Sequence, residues 1–206
     1  MNRVTRSTEA TSAGQAARVE RARRSMPVGL WGTLLFIATE ATLFGTLIAT
    51  YFYLRFQSPN WPPPGIEAPK VALPLALTGA LVLSTVPMLM ASGRARAGRV
   101  RPAILLILLG FAVQAGYLAA QIVLFSDDLH KFSPKDSVYG SIYFTLLGAH
   151  HAHVLIGLLL DLWVVGRLLG GMTNYRLVTV RVVAVYWYFV SALGVAVVLT
   201  QLSPSL

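Results

Sequence analysis

The chain has 206 residues, of which 55% are hydrophobic and 12% charged, and its net charge is +9. It contains no cysteine, which excludes disulfides, zinc–thiolate sites, iron–sulfur clusters and thiol nucleophiles. Several apolar runs exceed the roughly 18 residues a helix needs to cross a bilayer, so this is a polytopic membrane protein whose positive charge calls for no nucleic acid.

Residues 1–27 read as a basic tail with Arg3, Arg6, Arg18, Arg21, Arg23 and Arg24. A signal peptide would place a short apolar core and a small-residue cleavage site after a few basic residues. The run that follows here is too long and has no such site, so the tail is expected to be a flexible cytoplasmic anchor. Glu9 and Glu20 weigh against a mitochondrial presequence.

The rest, 28–206, reads as an all-α membrane domain of five transmembrane helices, spanning about 28–55, 71–92, 102–125, 133–169 and 178–202. In the second span Pro74 falls in the first turn, where proline is tolerated, while Pro87 lies inside and predicts a kink. Gly93 follows the second span and Gly170-Gly171 the fourth, where helix ends favour glycine. The fourth span opens on SPKD, which predicts Ser133 as N-cap, Pro134 at the first helical position and Asp136 in a capping-box position.

Basic residues orient the bundle. Arg94, Arg96, Arg99 and Arg101 lie between spans two and three, and Arg167, Arg176 and Arg181 lie around the link between spans four and five. Together with the tail they mark one side. The other side has Arg55, Lys70, Lys131 and Lys135, offset by Glu67, Asp127, Asp128 and Asp136. The N-terminus is therefore expected in the cytoplasm and the C-terminus outside.

Ionisable groups inside the spans need a partner, because a charge near the bilayer centre costs a few kcal/mol. They are Glu40 in the first span and His150, His151, His153 and Asp161 in the fourth, with Gln114 and Gln121 as milder signals in the third. His150 and His153 share a helix face, and His151 points about 100° away from His150. A metal site, a proton relay and a helix-packing hydrogen-bond cluster all fit such a group. Haem held by two histidines needs them on facing helices, yet all three lie on one helix and His130 falls in a loop. No metal site and no catalytic residue is expected. No glycine-flanked nucleophile is present, and neither are the paired repeats or broken helices of many transporters.

The residues Leu35–Phe44 (LFIATEATLF), Trp61–Ile66 (WPPPGI), Asp136–Phe144 (DSVYGSIYF), Gly148–Gly157 (GAHHAHVLIG) and Val185–Val190 (VYWYFV) follow one another in a telling order. In this order and spacing they resemble subunit III of the haem–copper cytochrome c oxidases, in a short five-helix bacterial form. The resemblance implies an accessory subunit without a redox centre in a proton-pumping terminal oxidase. Such a subunit packs against catalytic subunit I, with subunit II in the complex, in the bacterial cytoplasmic membrane. Haem and copper would sit in those partners. Bound phospholipid, proton uptake and resistance to turnover inactivation are implied roles, with Arg55 and Trp61 as headgroup candidates and Gly79, Gly110 and Gly116 lining grooves or close contacts. A quinol oxidase or nitric oxide reductase subunit, or an independent small membrane enzyme or transporter, is the alternative. The chain departs from the family at His151, which is an addition. It departs again at Tyr188 and Ser191, where the family has His and Asp, and around Leu124, where a glutamate is replaced.

Helix rise puts Glu40 roughly 16–18 Å into its span, His150 roughly 18 Å into the antiparallel fourth span and His153 roughly 22 Å. A Glu40 hydrogen bond to His150 or His153 is expected, with His150 the better match in depth. His151 is expected against backbone, lipid or a neighbouring subunit, and Asp161 against water or a basic group near the inner interface.

Overall fold

The computed structural model describes residues 28–170 and 174–205. The expected basic tail lies outside the described residues. The described chain is all helix and loop: α1 (Val28–Gln57), α2 (Ala72–Leu83), α3 (Thr85–Arg96), α4 (Val100–Lys131), α5 (Val138–Leu169) and α6 (Asn174–Leu202). α2 and α3 are two halves of one span, so five helices are long and apolar enough to cross a membrane. α1, α4, α5 and α6 have 30, 32, 32 and 29 residues. At the helical rise each exceeds the roughly 30 Å hydrocarbon thickness, so they must tilt or project.

The kink forms one turn ahead of Pro87. The ring of Pro87 removes the N–H that would bond the Leu83 carbonyl and crowds that same carbonyl, and the helix breaks at Ser84. Two hydroxyls take up carbonyls at the break: Ser84 Oγ donates to Leu81 O at 2.6 Å and Thr85 Oγ1 to Val82 O at 2.6 Å.

Three expected helix ends move. Gly93 lies inside α3; the terminating glycine is Gly98, at φ +72°. Arg99 N donates to Arg94 O and Gly98 N to Ala95 O, each at 3.0 Å, the paired bonds of a Schellman ending. α4 continues beyond Phe125 to Lys131, so His130 is helical, its Nδ1 donating to Ser126 O at 2.7 Å. α5 starts later than expected: its N-cap is Ser137, whose Oγ accepts from Gly140 N at 3.0 Å. The SPKD bonds do form, with Ser133 N donating to Asp136 Oδ2 at 2.8 Å and Lys135 N to Ser133 Oγ at 3.1 Å. They close a single turn that packs against the start of α5, where a Cβ on Gly140 would stand 2.6 Å from Ser133 O.

α6 is the central element, packed by α1, α2, α3 and α5. α5 touches α1, α4 and α6, whereas among the described helices α1 touches only α5 and α6. Most of α1 therefore faces outward, with Trp31, Leu35, Leu43, Tyr53 and Phe56 exposed. The core centres on Trp187, which is fully buried and sits on Gly157, where a Cβ would be 2.6 Å from Trp187 Cζ2. At the end carrying the α1–α2 loop an aromatic cluster closes the bundle. The Trp61 ring meets Tyr51 at 5.3 Å and Tyr139 at 5.1 Å, both edge-on, geometries favoured by the ring quadrupoles.

Candidate functional site

Two polar centres lie among the spans. The first joins α1 to α5. His153 Nε2 stands 3.1 Å from Glu40 Oε2, and His153 Nδ1 stands 2.8 Å from Ala149 O. A carbonyl oxygen only accepts, so Nδ1 carries a proton. Nε2 then bonds the carboxyl only if one more proton lies between them, on Glu40 or on the ring. The pair therefore holds one shared proton and is neutral as a unit, which is how an acid and a base can coexist at this depth. Phe44 packs edge-on against the His153 ring at 5.2 Å. Tyr186 on α6 donates its hydroxyl to His153 O at 2.8 Å. The pair is partly open, with 19% of the Glu40 side chain and 11% of the His153 side chain exposed.

His150, the better match by depth from sequence, does not meet Glu40. Its Nε2 stands 3.2 Å from Tyr117 Oη on α4, and its ring lies on Gly194 of α6, where a Cβ would be 3.1 Å away. Depth is better counted from the end the two helices share. Glu40 is about 18 Å from the start of α1, while His153 and His150 are about 24 and 28 Å from the end of α5. His150 Nδ1 and His151 Nε2 are buried with no hydrogen-bond partner among the described residues. His151 turns to α4, edge-on to Phe125 at 5.7 Å.

The second centre surrounds Asp161, which is fully buried. The sequence reading expected it near the inner interface, against water or a basic group; in the structure its Oδ1 accepts from Trp187 Nε1 at 3.0 Å, inside the bundle. Its Oδ2 faces the buried Gln114 side chain at 2.9 Å. Gln114 reaches on to Ser84 Oγ at 3.2 Å, so one polar chain links α6, α5, α4 and the break between α2 and α3. The depth count placed Asp161 near an aqueous boundary because it ignored how far α5 projects. Gln121 is also buried, one helical turn from Tyr117 on the same face of α4.

The sequence reading missed Tyr117, Tyr186, Trp187 and Ser84 as partners. The available signal was weak: an aromatic or hydroxyl side chain in an apolar span satisfies itself or packs in most cases. Of the headgroup candidates, Arg55 donates to Ser203 O at 3.1 Å. Trp61 Nε1 is buried inside the aromatic cluster, a place that suits packing better than headgroup contact. Gly110 supports a close contact, since a Cβ there would meet Met88 Sδ at 3.2 Å. Gly79 lines an open groove, and Gly116 has no neighbour within 4 Å of its would-be Cβ. Among the described residues no three of His, Cys, Asp and Glu gather where they could hold a metal ion.

Fold and site together define a polytopic, five-span helical membrane protein with polar centres between its helices. The model of the cytochrome c oxidase subunit III family matches residues 7–200, and the chain belongs to that family. It is 27% identical to quinol oxidase subunit 3 of Bacillus subtilis (strain 168) over 173 residues, covering 82% of this chain and 81% of that protein. It is 29% identical to cytochrome c oxidase subunit 3 of the same strain over 171 residues, with 82% and 81% covered. Against cytochrome c oxidase subunit 3 of Thermostichus vulcanus the identity is 26% over 186 residues, with 89% and 91% covered. The resemblance read from the sequence is borne out at the level of family and helical class.

Proposed function

We propose that the chain is the accessory, non-redox subunit III of a proton-pumping haem–copper terminal oxidase in a bacterial cytoplasmic membrane. The observation that carries this reading is the family match across nearly all of the chain. In this reading the N-terminus is cytoplasmic, and the chain packs against catalytic subunit I in a complex with subunit II. Those partners hold the haem and copper that reduce oxygen to water. Cytochrome c is the proposed donor and quinol the alternative, since relatives bearing either name match to a similar degree.

The chain's own contribution is support of assembly, proton uptake and turnover lifetime. Glu40 and His153 fit the proton role because they hold one mobile proton in a partly open site. Bound phospholipid fits the apolar groove of about 400 Å³ between α2 and α6, lined by Leu75, Thr78, Gly79, Val82, Val195 and Leu199 among others. That groove suits an acyl chain, and Arg55 at a helix end suits a headgroup.

Affinity purification of the tagged chain in mild detergent tests the reading. Recovery of a haem-bearing large subunit that oxidises cytochrome c or quinol is expected. A haem spectrum from the isolated chain, or purification of an active enzyme without any partner, would overturn it.

A further inference from the structure

The adjacent residues His150 and His151 go beyond the proposed function, because nothing in that reading uses either ring. His150 is fully buried. Its Nε2 is engaged by the Tyr117 hydroxyl at 3.2 Å, and its Nδ1 is buried with no partner among the described residues. Nε2 of His151 is in the same condition. Buried polar atoms are nearly always hydrogen-bonded, so two such nitrogens side by side call for a partner. What Nδ1 of His150 requires depends on one proton. If Tyr117 donates to Nε2, the neutral ring carries its proton on Nδ1 and needs an acceptor there; if Nε2 donates to Tyr117, Nδ1 is bare and needs a donor. Water supplies either, whereas a carbonyl or an ammonium group supplies only one.

The two nitrogens lie close together. The rings stand 6.2 Å apart and are tilted by 52°, so they are not stacked on one another. Both turn toward α4, where His150 meets Tyr117 and His151 meets Phe125. Gln121 lies between those two contacts, one turn from each on the same face of α4. It is buried, and its amide sits beside the Tyr117 hydroxyl. A water making two hydrogen bonds of about 2.9 Å spans roughly 4.7 Å between its partners, a separation that rings at this distance can present.

We propose that one structural water is bound between α4 and α5, held by His150 Nδ1 and His151 Nε2 with the Gln121 amide alongside. A buried water needs two to four polar partners, and these groups supply them. The water extends the polar row of Gln121, Tyr117 and His150 to His151, and it ties α4 to α5 at a depth where hydrocarbon offers no hydrogen bond. A metal ion fits the place less well. Metal sites take three or four protein ligands, and among the described residues no group of three His, Cys, Asp or Glu gathers to hold one.

The test uses the whole oxidase complex, purified with the native chain and with His151→Phe, which keeps a ring against Phe125 and deletes Nε2. A cryo-electron-microscopy map fine enough to show ordered waters is expected to hold one peak within about 3.2 Å of both nitrogens in the native complex, and to lose it in the variant. Hydroxyl-radical labelling by X-rays gives a second readout, because radicals form from the bound water itself. The buried His150 and Tyr117 should be labelled in the native complex, and several-fold less in His151→Phe. A native map without the peak overturns the proposal, and that measurement needs no variant to fold. Equal labelling in the two complexes overturns it as well. So does a metal content that falls by one atom per complex in His151→Phe, which would make the occupant a metal ion. None of these readouts depends on the electron donor or on turnover, so failure here leaves the proposed function standing.

Discussion

Glu40 on α1 and His153 on α5 are bridged at 3.1 Å, while the other ring nitrogen of His153 is committed to the Ala149 carbonyl. One proton between them satisfies both side chains. Removing it, or either partner, strands a buried polar group.

Glu40→Gln keeps a donor for Nε2, because the amide can present its NH₂. This variant is expected to assemble with wild-type thermal stability. Glu40→Leu leaves Nε2 without a partner and should cost about 1–3 kcal/mol, read as a lower melting temperature of the complex. In the proposed role both variants shorten turnover lifetime, since neither carries the mobile proton. Wild-type lifetime in Glu40→Gln would confine the pair to a structural role.

Gly157→Ala pushes a methyl into the Trp187 ring at 2.6 Å. A fully buried indole has little room to yield, so overpacking of about 1–3 kcal/mol is expected. Gly148 and Gly166 have no neighbour within 4 Å of the added Cβ. Alanine there should be neutral or slightly stabilising, by about 0.5–1 kcal/mol from helix propensity. Thermal melts of the three variants in one detergent check the contrast.

Trp187→Phe preserves the ring's bulk and deletes the N–H that serves Asp161 Oδ1. Leaving that oxygen unsatisfied should destabilise the complex by about 1–3 kcal/mol. The loss should shrink in an Asp161→Leu background, where no acceptor remains. A double-mutant cycle measures the coupling, and additive losses would mean the bond contributes nothing.

A reporter fused after Leu206 is expected to fold and function outside the cytoplasm, and one fused in the turn at Gly98 inside it. The four exposed arginines around Gly98, Arg94, Arg96, Arg99 and Arg101, set this expectation through the positive-inside rule. A cytoplasmic signal from the C-terminal fusion would reverse the orientation.

The five spans, the break ahead of Pro87 and the presence of a Glu–His contact between the first and fourth spans were all legible in the chain. Each follows from a local demand: hydrocarbon requires long apolar helices with internal hydrogen bonds, proline removes a donor, and an intramembrane carboxyl requires a partner. The helix ends were less legible. Beyond the hydrocarbon, water tolerates polar helix, so α4 ran on through Asp127, Asp128 and His130. SPKD could satisfy its own bonds in one turn, which left Ser137 to cap α5. Only the tertiary structure decided which histidine meets Glu40 and what surrounds Asp161. Rise per residue gives depth along one axis, whereas pairing depends on helix rotation, tilt and the small residues that let a ring approach. Gly194 receives the His150 ring and Gly157 receives the Trp187 ring. Those two glycines turn His150 and Asp161 into the interior of the bundle and leave His153 for Glu40, and no count along a single helix contains that information.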